Sequence, residues 1–253
     1  MRWNWGRRVW VGILLACGMT AGSPAAQAHL KDYVLNKDYY TAKRGEFEVT
    51  AWNDMNFSEA ENDESYNSKH QVELEYGLLD HLQFSYYEVY TWNRDEDWER
   101  DEFKIEAKLR LAEAGQWPVN VALYTEYANP NGRQDTHSDE IENKLILSRD
   151  FGPVNVVGNF VFEREINQHE DWQFEYTAGV SYALTPRTRV GLEVRQSLGD
   201  ESQFGFDRHR ELVLAPGLYT SLTPHVRVLF APAFGLTSGS DDVALKSIVE
   251  LEF

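Results

Sequence analysis

The sequence predicts an all-β protein, a single transmembrane, up-and-down antiparallel β-barrel of about 12 strands. Three observations favour this fold. Helical periodicity is almost absent beyond the N-terminal leader. Alternation of apolar and polar residues recurs in segments long enough for a tilted strand to cross the hydrocarbon layer, which takes about 9–11 residues. Short turns and longer polar connections then alternate along the chain, as they do in barrels of the bacterial outer membrane.

The first 28 residues are predicted to be a secretory signal peptide. They carry three arginines, an apolar run from Val9 to Cys17 and the small-residue site Ala26-Gln27-Ala28. The apolar run is shorter than the roughly 20 residues that a membrane-spanning helix needs. A second interpretation stays open, because the LLAC stretch followed by glycine resembles a lipoprotein box in which Cys17 would be lipidated.

Charge and cysteine content narrow the classes of partner. The chain has 253 residues, 42% of them hydrophobic, and a formal net charge of -17. Its 24 Lys and Arg, less the three arginines of the leader, leave 21 against 41 Asp and Glu, a balance of -20. Such a field repels nucleic acid, so no nucleic-acid partner is expected. Cys17 is the one cysteine, so the chain without its leader can form no disulfide.

The predicted domain boundaries are 1–28 for the signal peptide, 29–43 for a periplasmic lead-in and 44–253 for the barrel. The strands follow in order after residue 43. The lead-in residues could instead plug the lumen, and both arrangements stay open. The predicted strands are 45–53, 69–78, 82–92, 102–112, 118–128, 139–149, 154–165, 172–183, 188–197, 209–220, 225–236 and 243–253. The predicted longer connections are 54–68, 93–101, 129–138, 166–171, 198–208 and 237–242.

Alternation assigns a face to each side chain. In residues 104–111, KIEAKLRL, every second residue is charged and the others are apolar. The apolar face is predicted to meet lipid, although a soluble β-sandwich core would also accept it. The charged face is predicted to line the lumen, with Glu46, Glu48, Glu73, Glu75, Lys104, Glu106, Lys108, Arg110, Glu126, Glu142, Lys144, Glu163, Glu175, Arg189, Glu193, Arg195, Arg227, Lys246 and Glu250 pointing inward.

Aromatic residues near strand ends predict the girdles that membrane barrels carry at both interfaces. These residues are Tyr76, Phe84, Tyr86, Tyr90, Tyr127, Phe174, Tyr176, Tyr182 and Tyr219. Glu88 conflicts with the pattern, because the phase that turns Phe84 and Tyr86 outward also turns Glu88 outward. A β-bulge nearby, or a position above the bilayer, would remove the conflict.

The chain resembles Gram-negative outer-membrane β-barrel proteins in its last residues, KSIVELEF. Val249, Leu251 and Phe253 match the β-signal of that class, alternating apolar residues that finish on a C-terminal Phe. The resemblance implies a location in the bacterial outer membrane, contact with its lipid and lipopolysaccharide, and recognition by the barrel assembly machinery.

A narrower resemblance covers hairpin motifs. The stretch YGLLDHLQFSYYEVY at 76–90 is similar to the Tyr-Gly-Leu-Thr-Asp-x-Leu hairpins of barrels such as the family named for the MetA pathway of phenol degradation. The stretch TAKRGEFEVTAW at 41–52 resembles the first strand of such barrels. Leu79 stands where that pattern prefers Thr. This resemblance implies a fold and a location, and carries no catalytic residue.

The predicted function is a narrow, porin-like channel for small solutes or cations. A barrel of 12 strands lies between the filled barrels of about 8 strands and the open ones of about 16–18, so a filled structural or surface-interaction barrel stays open as an alternative. An outer-membrane enzyme that modifies lipid is a second alternative. It would need a loop His and Ser to converge, and Asp135, His137 and Ser138 are neighbours in one polar loop.

No catalytic residue, cofactor or metal site is predicted. The acidic loops at 58–64, 94–102 and 238–242 offer oxygen ligands, but none has the spacing of a defined calcium loop.

Overall fold

A computed structural model describes residues 33–60, 63–93, 98–130, 138–166 and 171–253, and in them the chain forms twelve β-strands. Each strand pairs antiparallel with its neighbours in sequence, and the last pairs with the first to close a barrel. None of the described residues forms a helix with the length and hydrophobicity needed to cross a bilayer. The predicted signal peptide, and with it Cys17, lies outside the described residues. The strands are β1 Phe47–Ala60, β2 Asp63–Leu79, β3 Leu82–Asn93, β4 Glu99–Arg110, β5 Asn120–Pro130, β6 Glu140–Phe151, β7 Val154–Glu165, β8 Gln173–Thr185, β9 Thr188–Asp200, β10 Leu212–Thr223, β11 Val226–Gly235 and β12 Val243–Glu252.

The seam between β1 and β12 closes the barrel over ten residue pairs. At its end the backbone N–H of Phe253 donates to the carbonyl oxygen of Phe47 at 2.9 Å, and the two rings lie 6.3 Å apart. Closure leaves no unpaired sheet edge, which is the condition for placing strands in a hydrocarbon layer. The prediction of an all-β, up-and-down barrel of twelve strands is confirmed.

β3 shows how the sequence pattern becomes two faces. Gln83, Ser85 and Tyr87 are buried in the interior, whereas Phe84 and Tyr86 are exposed on the outside. The outward residues of the other strands are likewise mainly apolar. An apolar exterior around a polar interior is the arrangement that a lipid environment stabilises.

Glu88 does point outward, and the structure shows how its charge is accommodated. Its carboxylate accepts hydrogen bonds from Arg100 Nε at 2.6 Å and Nη2 at 3.1 Å, and from the Tyr86 hydroxyl. A β-bulge between Val89 and Tyr90 shifts the register of the β3–β4 pair beside it. The paired charges therefore face outward as one nearly neutral group.

The first two strands are longer than predicted, and the prediction of a loop over 54–68 was wrong. β1 continues to Ala60, β2 begins at Asp63, and residues 53–60 pair with residues 63–70. These residues are mostly polar on both faces, so the apolar alternation that identifies a half-buried strand is missing. β9 likewise continues to Asp200, into the predicted loop at 198–208.

The inner wall is asymmetric. The inward residues of β2, β4 and β6 carry many charges, whereas most of those of β10–β12 are small or apolar and form a buried apolar wall. The buried residues of that apolar wall are Val213, Ala215, Leu229, Ala231, Ala233, Ala244 and Ile248. A wall of this kind needs a cover, since apolar surface in a water-filled lumen is unfavourable.

Candidate functional site in the barrel interior

Residues 33–43, called here the inner segment, lie inside the barrel. The segment passes the end with the short turns, where Thr41 Oγ1 donates to the carbonyl oxygen of Asp80 at 3.0 Å. The backbone N–H of Ala42 donates to Gln83 Oε1 at 2.9 Å. From the sequence, two arrangements stayed open for this part of the chain, a periplasmic lead-in and a plug in the lumen. The described residues occupy the lumen, and so do not form the periplasmic lead-in that the domain boundaries assigned to them.

Apolar contacts hold the inner segment against two regions of the wall. Val34 belongs to the buried cluster formed by the apolar residues of β10–β12. Tyr33 and Tyr39 belong to a second cluster on β5–β7, with Ala122, Tyr124, Ile146 and Val157. Burying a Val side chain fully contributes about 1.5–3 kcal/mol relative to leaving it in water. The inner segment is therefore the cover that the apolar wall requires.

Glu193 on β9 holds the bend of the inner segment. Its carboxylate accepts the backbone N–H groups of Val34 at 2.8 Å, Leu35 at 2.7 Å and Asn36 at 3.1 Å. Asn36 Nδ2 donates to it at 2.9 Å and the Tyr219 hydroxyl at 2.7 Å. A buried carboxylate is costly unless hydrogen bonds replace its water, and these five replace it.

Tyr219 is inside the barrel, so its assignment to an aromatic girdle was wrong. Its side chain is 2% exposed and lies over two glycines, Gly217 on its own strand and Gly191 on the neighbouring β9. A Cβ at Gly217 would lie 2.2 Å from the Tyr219 hydroxyl oxygen, and a Cβ at Gly191 would lie 2.7 Å from its ring. The ring fits only because both positions lack a side chain.

Lys37 places a positively charged ammonium of the inner segment at the centre of the barrel. Its ammonium donates to the Tyr87 hydroxyl at 2.6 Å and to Glu106 Oε2 at 2.8 Å, and lies 3.9 Å from Glu73 Oε1. Its backbone is fixed from both sides by Asn159, which accepts the Lys37 N–H at 2.8 Å and donates to the Lys37 carbonyl at 3.0 Å. The position of this ammonium is thus set by the fold rather than by a mobile side chain alone.

The structure places the charged residues predicted for the lumen at interior positions of differing depth. Glu48, Glu73, Glu75, Glu106, Lys108, Glu126, Glu193, Arg227 and Glu250 are buried. Glu46, Lys104, Arg110, Glu142, Lys144, Glu163, Glu175, Arg189, Arg195 and Lys246 are half-buried. Arg110 and Arg189 lie near the short turns, where they donate to Thr41 Oγ1 at 3.0 Å and to Ser181 Oγ at 3.0 Å.

Ion pairs between strands, and one within β6, join many of these charges. The pairs Lys104–Glu126, Lys144–Glu142 and Arg227–Glu250 each measure 2.9 Å, and the pair Lys246–Asp54 measures 2.7 Å. Arg195 donates to Glu211 and lies 3.9 Å from Glu175. Lys108 lies 3.5 Å from Asp38 of the inner segment. Pairing of this kind lowers the cost of holding charge in a confined space.

Four glutamates form a row across neighbouring strands. Glu106 on β4 lies opposite Glu126 on β5, which lies opposite Glu142 on β6, which lies opposite Glu163 on β7. Like charges directly opposite one another are unfavourable in a sheet. Lys104 and Lys144 reduce the repulsion, but the row remains a continuous line of carboxylates along the interior.

A second group of acids lies nearer the short turns. Oxygen atoms of Glu48, Glu75 and Glu250 all lie within 4.8 Å of one another, and all three side chains are buried. Gln83 donates to Glu75, and Arg227 pairs with Glu250, so part of the negative charge is offset by neighbouring donors.

A cavity of about 240 Å³ lies beside the inner segment, on the side of the longer loops. Lys37 and the rings of Trp52, Tyr87 and Tyr124 form part of its wall. Its charged lining residues are Asp54, Lys104, Glu126, Glu142, Lys144, Arg195 and Lys246. The sequence did not single out the aromatic members, although β-strand parity places Tyr87 on the face opposite Tyr86.

The predicted assembly residues lie on the outside of the closing strand. Val249 is 37% exposed, Leu251 is half-buried and Phe253 is 71% exposed. Their side chains are therefore accessible on the face that is apolar in the other strands.

The residues considered for catalysis are only partly described. Asp135 and His137 lie outside the described residues. Elsewhere, His209 Nδ1 lies 3.1 Å from Ser238 Oγ, between the loops that follow β9 and β11. Arg208 Nε donates to His209 Nε2 at 3.2 Å, which assigns the ring proton to Nδ1. In that tautomer the ring donates to Ser238 instead of accepting its proton, the opposite of what a general base does.

The loop that contains His209 has a hydrogen bond between its backbone and one of its own side chains. The His209 N–H donates to Asp207 Oδ1 at 2.9 Å, and this hydrogen bond holds the pKa of the Asp207 carboxyl below its usual range. Asp207 therefore carries its negative charge over the whole neutral range.

No protein-family model and no curated protein matches the chain. Solved structures do share its fold. The COG4313 outer membrane channel from Pseudomonas putida F1 aligns over 86% of this chain and 99% of its own, with 10% identity and a TM-score of 0.64. The KdgM porin aligns over 81% and 99%, with 8% identity and a TM-score of 0.59. The NanC porin aligns over 82% and 98%, with 12% identity and a TM-score of 0.54. The chain has the β-barrel fold of Gram-negative outer-membrane proteins.

Proposed function

We propose that the protein is a porin-like channel of the bacterial outer membrane, which passes small solutes through a lumen that its own N-terminal segment narrows. The observation that carries this proposal is the composition of the barrel interior. A charged wall, a cavity and the inner segment share one lumen, and the segment is held by hydrogen bonds that can be exchanged for water. The similar structures named as channels and porins support the class of function, and leave the solute open.

An outer-membrane location follows from the exterior surface. Large apolar side chains are exposed around the barrel, and water would not stabilise so much apolar surface on a monomer. We infer that lipid and lipopolysaccharide contact this surface. We further infer that the assembly machinery reads the strand ending in Val249, Leu251 and Phe253.

A preference for cations follows from the balance of interior charge. Acids outnumber bases among the inward residues, and four of the acids form the continuous row from Glu106 to Glu163. Rings or rows of carboxylates favour cations in pores. We therefore expect the channel to conduct small neutral and cationic solutes.

Single-channel recording tests the proposal directly. The protein without its signal peptide and a variant lacking residues 29–40 are refolded and placed in planar bilayers. We expect small, cation-selective steps from the first and larger steps from the second, because the deletion removes most of the lumen's obstruction. If both proteins are folded barrels and neither conducts, the interior is filled and the protein is a structural or surface-interaction barrel.

The competing enzyme hypothesis named Asp135, His137 and Ser138, and among the described residues the loop His and Ser that lie together are His209 and Ser238. We propose that this pair is structural, given the direction of its hydrogen bond. Phospholipid turnover by the wild-type protein that is lost in His209→Ala would overturn this view.

A further inference from the structure

The ammonium of Lys37 is surrounded by five residues of the barrel wall, one from each of the first five strands. It lies 5.5 Å from the ring centre of Trp52 on β1, and 5.3 Å from those of Tyr87 on β3 and Tyr124 on β5. Glu73 on β2 and Glu106 on β4 supply its carboxylates. We call these five wall residues the ammonium cage.

All five residues of the cage belong to the barrel wall, and hydrogen bonds between them connect four neighbouring positions without the inner segment. Trp52 Nε1 donates to Glu73 Oε2 at 2.8 Å. The Tyr87 hydroxyl lies within hydrogen-bonding distance of both Glu73 and Glu106, and its one proton is donated to one or the other of these carboxylates. Glu73, Tyr87 and Glu106 are almost fully buried. Because these hydrogen bonds run between wall residues, we expect the rings and carboxylates to keep their places when another ammonium replaces that of Lys37.

The chemistry of the cage selects an organic ammonium. Aromatic faces attract a cation through the ring quadrupole, and sets of such faces bind alkylammonium groups. A hard metal ion would gain little from three rings, since it prefers a shell of oxygen atoms. An anion would meet two buried carboxylates. A primary ammonium satisfies both the rings and the carboxylates.

The cage also adjoins a route for a ligand. Three of its residues, Trp52, Tyr87 and Tyr124, line the 240 Å³ cavity on the side of the longer loops. A small amine in this cavity would be in contact with the rings before it reached the carboxylates. The Lys37 ammonium lies between the rings and the carboxylates, and it covers the site from the side of the inner segment.

We propose that the ammonium cage is a binding site for small organic ammonium ions, and that Lys37 is its tethered, built-in competitor. The proposal deepens the proposed function, because it names the class of solute for the channel, and it rests on that function only for its physiological meaning. A tethered group acts at an effective concentration that reaches the millimolar range for short flexible connections. Free amines therefore bind weakly while Lys37 is in place, and more tightly when the inner segment is displaced or Lys37 is removed.

Chemical rescue tests the site without any use of conductance. Lys37→Ala removes the atoms of an n-propylammonium ion, and thermal unfolding of the refolded variant is followed with and without added n-propylammonium. We expect the variant to unfold at a lower temperature than the wild type, and the amine to raise its midpoint in a saturable way. The same effect on the wild type should need a concentration at least roughly tenfold higher.

Three controls make the result specific. Lys43→Ala removes an exposed lysine from the same segment, and should show no rescue. Propan-1-ol, which has the same chain without the charge, should not replace the amine. Adding Trp52→Leu to Lys37→Ala should weaken the rescue, because it removes one ring of the cage.

The proposal is overturned if n-propylammonium stabilises Lys43→Ala or the wild type as well as it stabilises Lys37→Ala, or if propan-1-ol is equally effective. Should Lys37→Ala fail to refold alone, refolding in the presence of n-propylammonium gives the same test, and failure there also rejects the site. The readout is stability, so a negative recording in bilayers would reject the channel and leave this result standing.

Discussion

The carboxylate of Glu193 on β9 accepts the backbone N–H of Leu35 at 2.7 Å, so a strand in the middle of the wall holds a residue that precedes β1. Two further backbone N–H groups of the inner segment converge on the same carboxylate. Three backbone hydrogen bonds between the inner segment and the wall therefore meet on one side chain, so one substitution removes or weakens all three.

We expect Glu193→Gln to loosen the inner segment while the barrel remains closed. The amide offers one acceptor oxygen in place of two, and its NH₂ group faces donors, which costs about 1–3 kcal/mol for the groups left unsatisfied. Single-channel conductance should rise, and the free energy of unfolding should fall. Glu201→Gln, an exposed change in the loop after β9, should alter neither quantity. Unchanged conductance in Glu193→Gln would show that the segment is held without this carboxylate.

Gly217→Ala is expected to lower the free energy of unfolding, because the new methyl group would lie 2.2 Å from the Tyr219 hydroxyl oxygen. Overpacking of this kind costs about 1–3 kcal/mol. Gly158→Ala on β7 is a matched control, since the nearest atom to its Cβ would be the Thr177 carbonyl oxygen at 3.8 Å. Urea unfolding in lipid vesicles gives both values. Equal stabilities for the two variants would contradict the close approach of Tyr219.

Glu142→Gln should reduce the preference for cations. The change removes one carboxylate from the row that joins Glu106 to Glu163, and leaves its partner Lys144 as an uncompensated positive charge in the cavity wall. The reversal potential in a salt gradient should move towards the value for anions. Glu113→Gln, whose side chain is 63% exposed in a short turn, provides the comparison. A shift of equal size in both variants would mean that surface charge, and not the row, sets selectivity.

Removal of Phe253 should impair assembly more than stability. Its side chain is exposed, and the Phe47 carbonyl oxygen that its backbone binds is at the end of the seam. We expect a lower yield of folded barrel in vesicles that contain the assembly machinery, and nearly unchanged spontaneous refolding in detergent. A loss of equal size in detergent would assign Phe253 a purely structural role.

The sequence predicted the strands well where one face of the strand is polar and the other is apolar, because polar and apolar residues then alternate regularly. β7 was predicted over 154–165 and runs from Val154 to Glu165. The hairpin formed by the ends of β1 and β2 was missed, because residues 53–60 and 63–70 are mostly polar and lack a regular apolar alternation.

The interior could be predicted only in part. Parity indicates which side chains point inward, but the register between strands decides which of them meet, and register is a property of the closed sheet. The row from Glu106 to Glu163 and the cage around Lys37 both depend on it. One feature of the sequence did indicate that the lumen contains the inner segment. Most inward positions of β10–β12 are small or apolar, in a barrel where the inward positions of β2, β4 and β6 carry many charges.

The packing of Val34 against β10–β12 also constrains the order of biogenesis. Val34 leaves the ribosome early, whereas Leu229 and Ile248, which share its cluster, are among the last residues to be made. Contacts so distant in sequence form only once the entire chain is present. Val34 therefore stays unburied until the final strands arrive, and a barrel that closed first could admit the inner segment only through the end with the short turns.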